Sequence, residues 1–486
     1  MKISWPQGRI LIYDMVKFNS INPANGKIVG WVKISTKNEV AKAFKKAQKA
    51  FLVWRKTPVK KRVEYIDKFS KEIKKQKAEL ARLITLEMGK PYQEALNEVV
   101  GSRANLWHYI NKGPEILREE VLFKYPNPAT TLPQEGHSNR EGKIIFEPWG
   151  VCGVITPWNY PISIPINKII SNILVGNTVL FKPSEYTSLC GKKIMEIFKK
   201  ICLPEGVVNI VFGPASVGKM VVDSPINFIC FTGSSKVGQE IYQKCGKKFI
   251  RCVLELGGSS PALVFADADL EKAVKEIYSA RFSNCGQVCC AVKRLFVETK
   301  IFKKFLKRMV EKVSQAKIGN PFSDVDFGPL VSKKQLDLLV SQVKDALQKG
   351  ARVEIGGKKP KGKEFQGGNF FLPTILTNLN FKMRVMQEEV FGPVLPIMSF
   401  KNIKEIIEMA NKTEYGLSAE IYTSDLKKAE KLAKDLENGT VAINSDSFGH
   451  QEAPFGGYKK SGIGREGGKY GLRETVQIKY VYKEKT

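Results

Sequence analysis

Histidine is the scarcest catalytic side chain in this sequence: three occur in 486 residues, at His108, His137 and His450. With no Cys-x-x-Cys pair among the nine cysteines either, there is no coherent set of zinc ligands, and no metal site is expected. No window reaches the roughly 18 uninterrupted apolar residues that a membrane helix needs. The strongest run, INKIISNILVGNTVLF, is broken by Lys168 and several asparagines. The opening stretch MKISWPQGRILIYDMVKF has no signal-peptide core, which points to a cytoplasmic protein. Acidic residues are outnumbered 48 to 78 by Lys and Arg, a formal charge of +30. A nucleic-acid stripe would gather that charge on one element. Here AFKKAQKAF, FSKEIKKQKAEL, IFKKFLKRMVEKV and GGKKPKGKEF spread it along the chain at helical spacing, as on solvated helix faces. Neither nucleic acid nor membrane is expected as a partner, and the positive field favours anionic cofactors and substrates.

Cysteine, by contrast, is locally dense. SNCGQVCCAVK, from Ser283 to Lys293, holds Cys285, Cys289 and Cys290. With metal set aside, a reactive thiol leads, and a dyad with a distant histidine stays open. A free thiol is only a few per cent thiolate at neutral pH, so it needs a favourable environment. It also needs an oxyanion donor, and a base if water completes the reaction.

The length predicts two or three domains. Over 151–265, VCGVIT, TVLFK, VVNIVF, NFICFT and RCVLEL read as buried strands, separated by helical patterns such as CGKKIMEIFKKI and KVGQEIYQKC. That alternation predicts an α/β fold with a doubly wound parallel sheet, whose strand-end loops bind ligands. In FTGSSKVG, Gly233 lets backbone approach a pyrophosphate at the start of a helix near Ser235, although the regular GxGxxG is absent. In KPSE, Lys182 and Glu185 suit ribose hydroxyls, while the plainer reading is a Pro turn with a capping Ser184. In ELGGSSP, Glu255 reads either as a carboxylate near a reaction centre or as a surface ion-pair partner.

PWNYP (157–161), KPSE, FTGS, ELGG, GQVC, EEVFGPV (388–394) and PFGGYKKSG occur in this order, and with INPANGKIVG and LEMGKP they span nearly the whole chain. Together they resemble the aldehyde dehydrogenase superfamily, of the NAD(P)-dependent hydrolytic type. The resemblance implies oxidation of an aldehyde to its carboxylic acid. Cys289 of GQVC would be the nucleophile, Glu255 of ELGG the general base and Asn159 of PWN the oxyanion donor. Lys168 matches a lysine tied to proton relay or support of the site. The cofactor, NAD with NADP as the alternative, would lie over Thr156, Pro157 and Trp158. Lys182, Ser184 and Glu185 would meet the adenosine ribose, and Gly213 to Gly218 would border the adenine. Phe231, Thr232, Gly233, Ser234 and Leu256 complete the expected contacts, with Glu389 and Phe391 at the nicotinamide ribose and ring. Tyr160, Ile164, Cys290, Phe448 and Phe455 would form a partly apolar substrate funnel, with His450 at its mouth. Oxidative pairing of Cys285 with Cys289 stays open.

The family fold implies an NAD(P)-binding domain with a five-stranded Rossmann-like sheet over 1–123 and 146–256, and an α/β catalytic domain over 257–470. It also implies a small β oligomerisation element over 124–145 and 471–486, joining a homodimer or homotetramer. ARFSNCGQVCCAVKR resembles the succinate-semialdehyde branch. That branch commonly places arginine just before the lysine of the PWN helix, where this chain has Asn167. Three readings follow: a general aldehyde dehydrogenase, a semialdehyde dehydrogenase, and a basic binding protein on a dehydrogenase fold.

Overall fold

The computed structural model describes residues 16–124, 140–446 and 450–484. The five apolar runs form strands Val151–Ile155, Thr178–Lys182, Val208–Ile210, Phe228–Thr232 and Arg251–Glu255, paired in parallel. Every residue of the first, second and fourth is buried, which is why they read as unbroken apolar runs rather than as alternation. Helices Ser163–Val175 and Ser188–Lys200 pack on one face of this sheet. Helices Lys37–Trp54, Ala215–Asp223 and Ser235–Lys248 cover the other.

A sixth strand, not anticipated from the sequence, comes from far along the chain. Gly462–Ile463 pairs antiparallel with Arg251–Glu255 at the sheet edge. Gly462 permits the approach, because a Cβ there would lie 2.4 Å from the Leu254 carbonyl oxygen. This pairing delivers the PFGGYKKSG segment to the strand that carries Glu255.

The chain leaves this sheet at Glu255 and enters a second one at Ser260, through the link Leu256–Ser259. The second sheet has seven strands, in the order Arg352–Ile355, Thr374–Thr377, Val394–Phe400, Val292–Glu298, Ser260–Val264, Ser418–Tyr422, Thr440–Ile443. Only the first of these runs antiparallel to its neighbour. Its core is the largest apolar cluster among the described residues. Fully buried Arg294 ties the link to this sheet: its guanidinium donates to Ser259 O at 2.8 and 3.0 Å, to Met409 O at 3.0 Å and to Ala410 O at 2.8 Å. Two of those acceptors are last-turn carbonyls of helix Ile403–Asn411, where a cation is favoured.

A third sheet is antiparallel, with Arg140–Pro148 between Val476–Glu484 and Glu120–Lys124. No helix among the described residues is long and apolar enough to cross a membrane.

Candidate active site

The loop that carries Cys289 begins where helix Leu270–Phe282 ends. Asn284, Cys285 and Gly286 follow with φ of 53°, 56° and 70°, three successive left-handed residues that must be held by their surroundings. Glu94 accepts the Asn284 N–H at 2.6 Å. The Gln287 amide donates to Asn284 O at 3.1 Å and accepts the Val331 N–H at 2.9 Å. A Cβ on Gly286 would sit 2.4 Å from Gly392 O, so the loop lies directly against the EEVFGPV backbone. The outcome is a half-buried Cys289 between buried Val288 and Cys290.

The Cys289 thiol is held below its ordinary pKa, first by a hydrogen bond from Cys290 and then by the Lys293 ammonium, against the opposing effect of burial. Cys290 moves the other way, because it supplies that hydrogen bond and is itself buried. Lys293 also donates to the Cys289 carbonyl at 2.5 Å and to Glu389 Oε1 at 3.1 Å. The Gly258 N–H reaches the same Glu389 oxygen at 3.1 Å. The two glycines of ELGG make this crowding feasible. A Cβ on Gly257 would lie 2.5 Å from Glu389 Oε2, and one on Gly258 would lie 2.8 Å from Cys289 O.

Asn159 is buried, and its carboxamide donates to Gln287 O at 3.0 Å, two residues before Cys289. Glu255 is buried rather than at the surface, and neither carboxylate oxygen has a hydrogen-bond partner among the described residues. Burial pushes its carboxyl well above the usual range; nearby Lys168 opposes this and Cys289 adds to it. Lys168 is buried and forms an ion pair with Glu466. Glu466 is set in place by a two-way backbone bridge with Phe455, at 2.7 Å in each direction. Tyr160 and Phe455 pack with Val288, Cys289, Cys290, Ala291 and Leu417 in one apolar cluster. Ile164 lies outside that cluster and donates its N–H to Tyr160 O at 3.2 Å. Phe448 falls outside the described residues.

A cleft of about 780 Å³ opens at the carboxyl ends of the parallel strands. Thr156, Pro157 and Trp158 line it, as do Lys182, Ser184 and Glu185. Gly218, Phe231, Thr232, Gly233 and Ser234 line the rest of its wall. Lys182 and Glu185 pair at 3.3 Å, and Ser184 does cap the short turn that follows, accepting the Tyr186 N–H at 3.3 Å. Ser234 caps helix Ser235–Lys248, whose N-terminus therefore faces the cleft. Gly213 and Leu256 are not among the lining residues: Gly213 supports the turn at φ 144°, and Leu256 is buried against Gly238. Phe391 meets Trp158 edge-on at 5.4 Å, connecting the cleft to the Cys289 side.

The whole chain can be set beside known proteins at this point. Residues 14–481 match the aldehyde dehydrogenase family model. A betaine aldehyde dehydrogenase of Bacillus subtilis (strain 168) is 38% identical over 468 residues, covering 95% of this chain and 93% of that protein. A succinate-semialdehyde dehydrogenase [NADP(+)] of Escherichia coli (strain K12) is 36% identical, covering 95% and 93%. Among solved structures, an E. coli NADP-dependent enzyme superposes with a TM-score of 0.91 at 34% identity, covering 96% of this chain and 95% of that one. Betaine aldehyde dehydrogenase from Staphylococcus aureus, in complex with NAD+, gives 0.90 at 33%, covering 96% and 91%. The chain belongs to the aldehyde dehydrogenase family.

For this family member, the fold gathers Cys289, Asn159, Glu255 and Lys168 around one centre and lays the expected dinucleotide loops along one cleft. Sequence reasoning did not single out Lys90, Glu94, Glu98, Lys293 or Glu466. Lys90 lies in LEMGKP and Lys293 ends SNCGQVCCAVK, but among 78 cations neither stretch indicates what its lysine touches. Neither described histidine bonds to the thiol: both ring nitrogens of buried His108 lack a partner among the described residues, and exposed His450 accepts the Glu452 N–H; His137 is outside the described residues. Cys285 is buried, with its sulfur against Gly328 O at 3.5 Å.

Iodoacetamide labelling of Cys289, followed by peptide mass spectrometry against pH, should give a midpoint below that of an ordinary thiol. Cys290→Ala removes the leading hydrogen bond and should move that midpoint upward.

Proposed function

We propose that this chain oxidises an aldehyde to the carboxylic acid with NAD, through Cys289 as nucleophile, Asn159 as oxyanion donor and Glu255 as base. The observation that carries this reading is the meeting of a half-buried thiol of lowered pKa with a buried carboxylate that has no hydrogen-bond partner among the described residues, next to a dinucleotide-sized cleft whose wall residue Thr232 pairs with Glu255.

The residues present suit NAD. Thr156 Oγ1 and Thr232 Oγ1 are buried polar atoms on the cleft wall without partners among the described residues. The Ser235 helix end favours a pyrophosphate. Glu185 suits a ribose 2′-OH and repels a 2′-phosphate. When bound, the nicotinamide supplies the acceptor for hydride.

Cys289 sulfur attacks the aldehyde carbon, and the oxyanion is held by the Asn159 amide and the Cys289 N–H. Asn159→Ala should therefore lower kcat roughly 10²–10³-fold. After hydride loss the acyl group is a thioester on Cys289. Glu255 takes a proton from water, hydroxide attacks the carbonyl, and the thiolate leaves. Because burial raises the Glu255 pKa, its basic form grows as pH rises, so kcat should climb along a limb centred above the ordinary carboxylate range. Glu255→Gln should leave the burst of NADH and cut steady-state turnover roughly 10²–10⁴-fold, with the residual rate lacking that limb; wild-type turnover with an unchanged pH profile would refute the assignment.

The substrate we favour is an aldehyde without a carboxylate. Asn167 is neutral, its Oδ1 accepts from Tyr109 OH at 2.9 Å, and apolar side chains surround Cys289. A kinetic panel with aliphatic and aromatic aldehydes, lactaldehyde and succinic semialdehyde, with each of NAD and NADP, tests this. Succinic semialdehyde should trail by about tenfold or more in kcat/KM, the scale of one lost charged contact. NAD should exceed NADP.

The third sheet supports a homo-oligomer, a dimer or tetramer. Its edge strand Val476–Glu484 exposes Ile478, Tyr480 and Tyr482, an aggregation hazard unless a partner covers it. Light scattering should report a multimer that Ile478→Lys with Tyr480→Lys converts to monomer.

A further inference from the structure

The helix that opens at Tyr92 sends two carboxylates, Glu94 and Glu98, to the two loops that meet at the thiol. Their spacing puts both on one helix face. Glu94 holds the Asn284 N–H of the nucleophile loop. Glu98 serves the PWNYP loop: its Oε1 accepts the N–H of Ile162 at 2.9 Å and of Ser163 at 3.1 Å. Those are orphan donors at the start of helix Ser163–Val175, whose own N-cap residue, Ile162, has no side chain able to cap them.

The second oxygen of Glu98 lies 2.5 Å from Lys90 Nζ. Both side chains are almost fully buried, each 1% exposed. The ammonium has three N–H directions and three neighbours: Glu98, the Asn159 carbonyl at 3.0 Å, and the Tyr160 ring, whose centroid is 3.8 Å away. The Asn159 carbonyl receives a second donor, the Asn284 amide, at 3.0 Å.

A buried ion pair is a poor way to stabilise a fold, since well-packed apolar residues in its place are often neutral or better. Its use here is local. Among the described residues, every hydrogen bond the two side chains make beyond the pair lands on Asn159 or on the two residues that begin the following helix. Lys90 fixes the peptide from which the Asn159 side chain springs, and Glu98 fixes the chain just beyond it.

We propose that the Lys90–Glu98 pair is a positioning device for the oxyanion donor, holding the Asn159 carboxamide in register with Cys289. The proposal rests on the reading of Asn159 as that donor. Neither residue touches the reacting atoms; both act through Asn159.

The test compares kcat, both KM values and thermal midpoint for Lys90→Met, for Lys90→Met/Glu98→Gln, for Asn159→Ala and for each Lys90 variant combined with Asn159→Ala. The Lys90→Met/Glu98→Gln double strands no charge and keeps an acceptor for the Ile162 and Ser163 N–H groups, so it serves if Lys90→Met does not fold. Misplacement on the ångström scale predicts a kcat loss of roughly 10–100-fold, with both KM values within about threefold of wild type. In the Asn159→Ala background the same changes should cost less than about twofold, because there is no carboxamide left to place. Equal losses in both backgrounds, or undiminished kcat in the folded double variant, would overturn the proposal. Asn159→Ala retaining wild-type kcat would instead remove the oxyanion reading itself, a separate outcome.

Discussion

Charge kept out of water is the constraint on which this site depends. Cys289, Lys168, Glu255 and Lys293 crowd into a space where an isolated ion would be strongly destabilised. Three of the four are held by a neighbour. Lys293 spans the Cys289 carbonyl and Glu389, Lys168 pairs with Glu466, and Cys290 gives its proton direction to Cys289. Glu255 has neither a hydrogen bond nor an ion pair among the described residues, and its burial raises its proton affinity.

The architecture explains how such neighbours are brought together. Asn159 follows a first-sheet strand, Glu255 ends another, and Cys289 precedes a strand of the second sheet. The link Leu256–Ser259 joins the sheets, and Arg294 binds its last carbonyl twice. Glycines 258 and 286 let three backbones approach more closely than any Cβ would allow, and Gly257 makes room for the Glu389 carboxylate. The antiparallel strand Gly462–Ile463 then seats the segment carrying Phe455 and Glu466 against the Glu255 strand.

The parallel sheet was legible because its strands are buried on both faces, which leaves a compositional mark on the sequence itself. FTGSSKVG was legible for a local reason too: a glycine turn followed by Ser234 as cap is a short-range device. Seven ordered motifs carried the family and with it Cys289, Asn159 and Glu255. By contrast, Glu255 could equally have been a surface residue as far as its neighbours in the chain indicate. Gly462–Ile463 is too short to register as a strand without the edge it joins, and Lys90 looked like any lysine in a basic protein.

Residue type and order thus decided the fold class and the cleft-forming loops, since burial patterns and turn chemistry act over a few residues, while the ordered motifs pointed to Cys289 through the family they resemble. Tertiary structure alone decided protonation and pairing. Whether a carboxylate is a base or a surface anion, and whether a lysine is solvated or buried against an asparagine carbonyl, depends on desolvation and on partners from distant segments. Those terms exist only once the chain has closed around them.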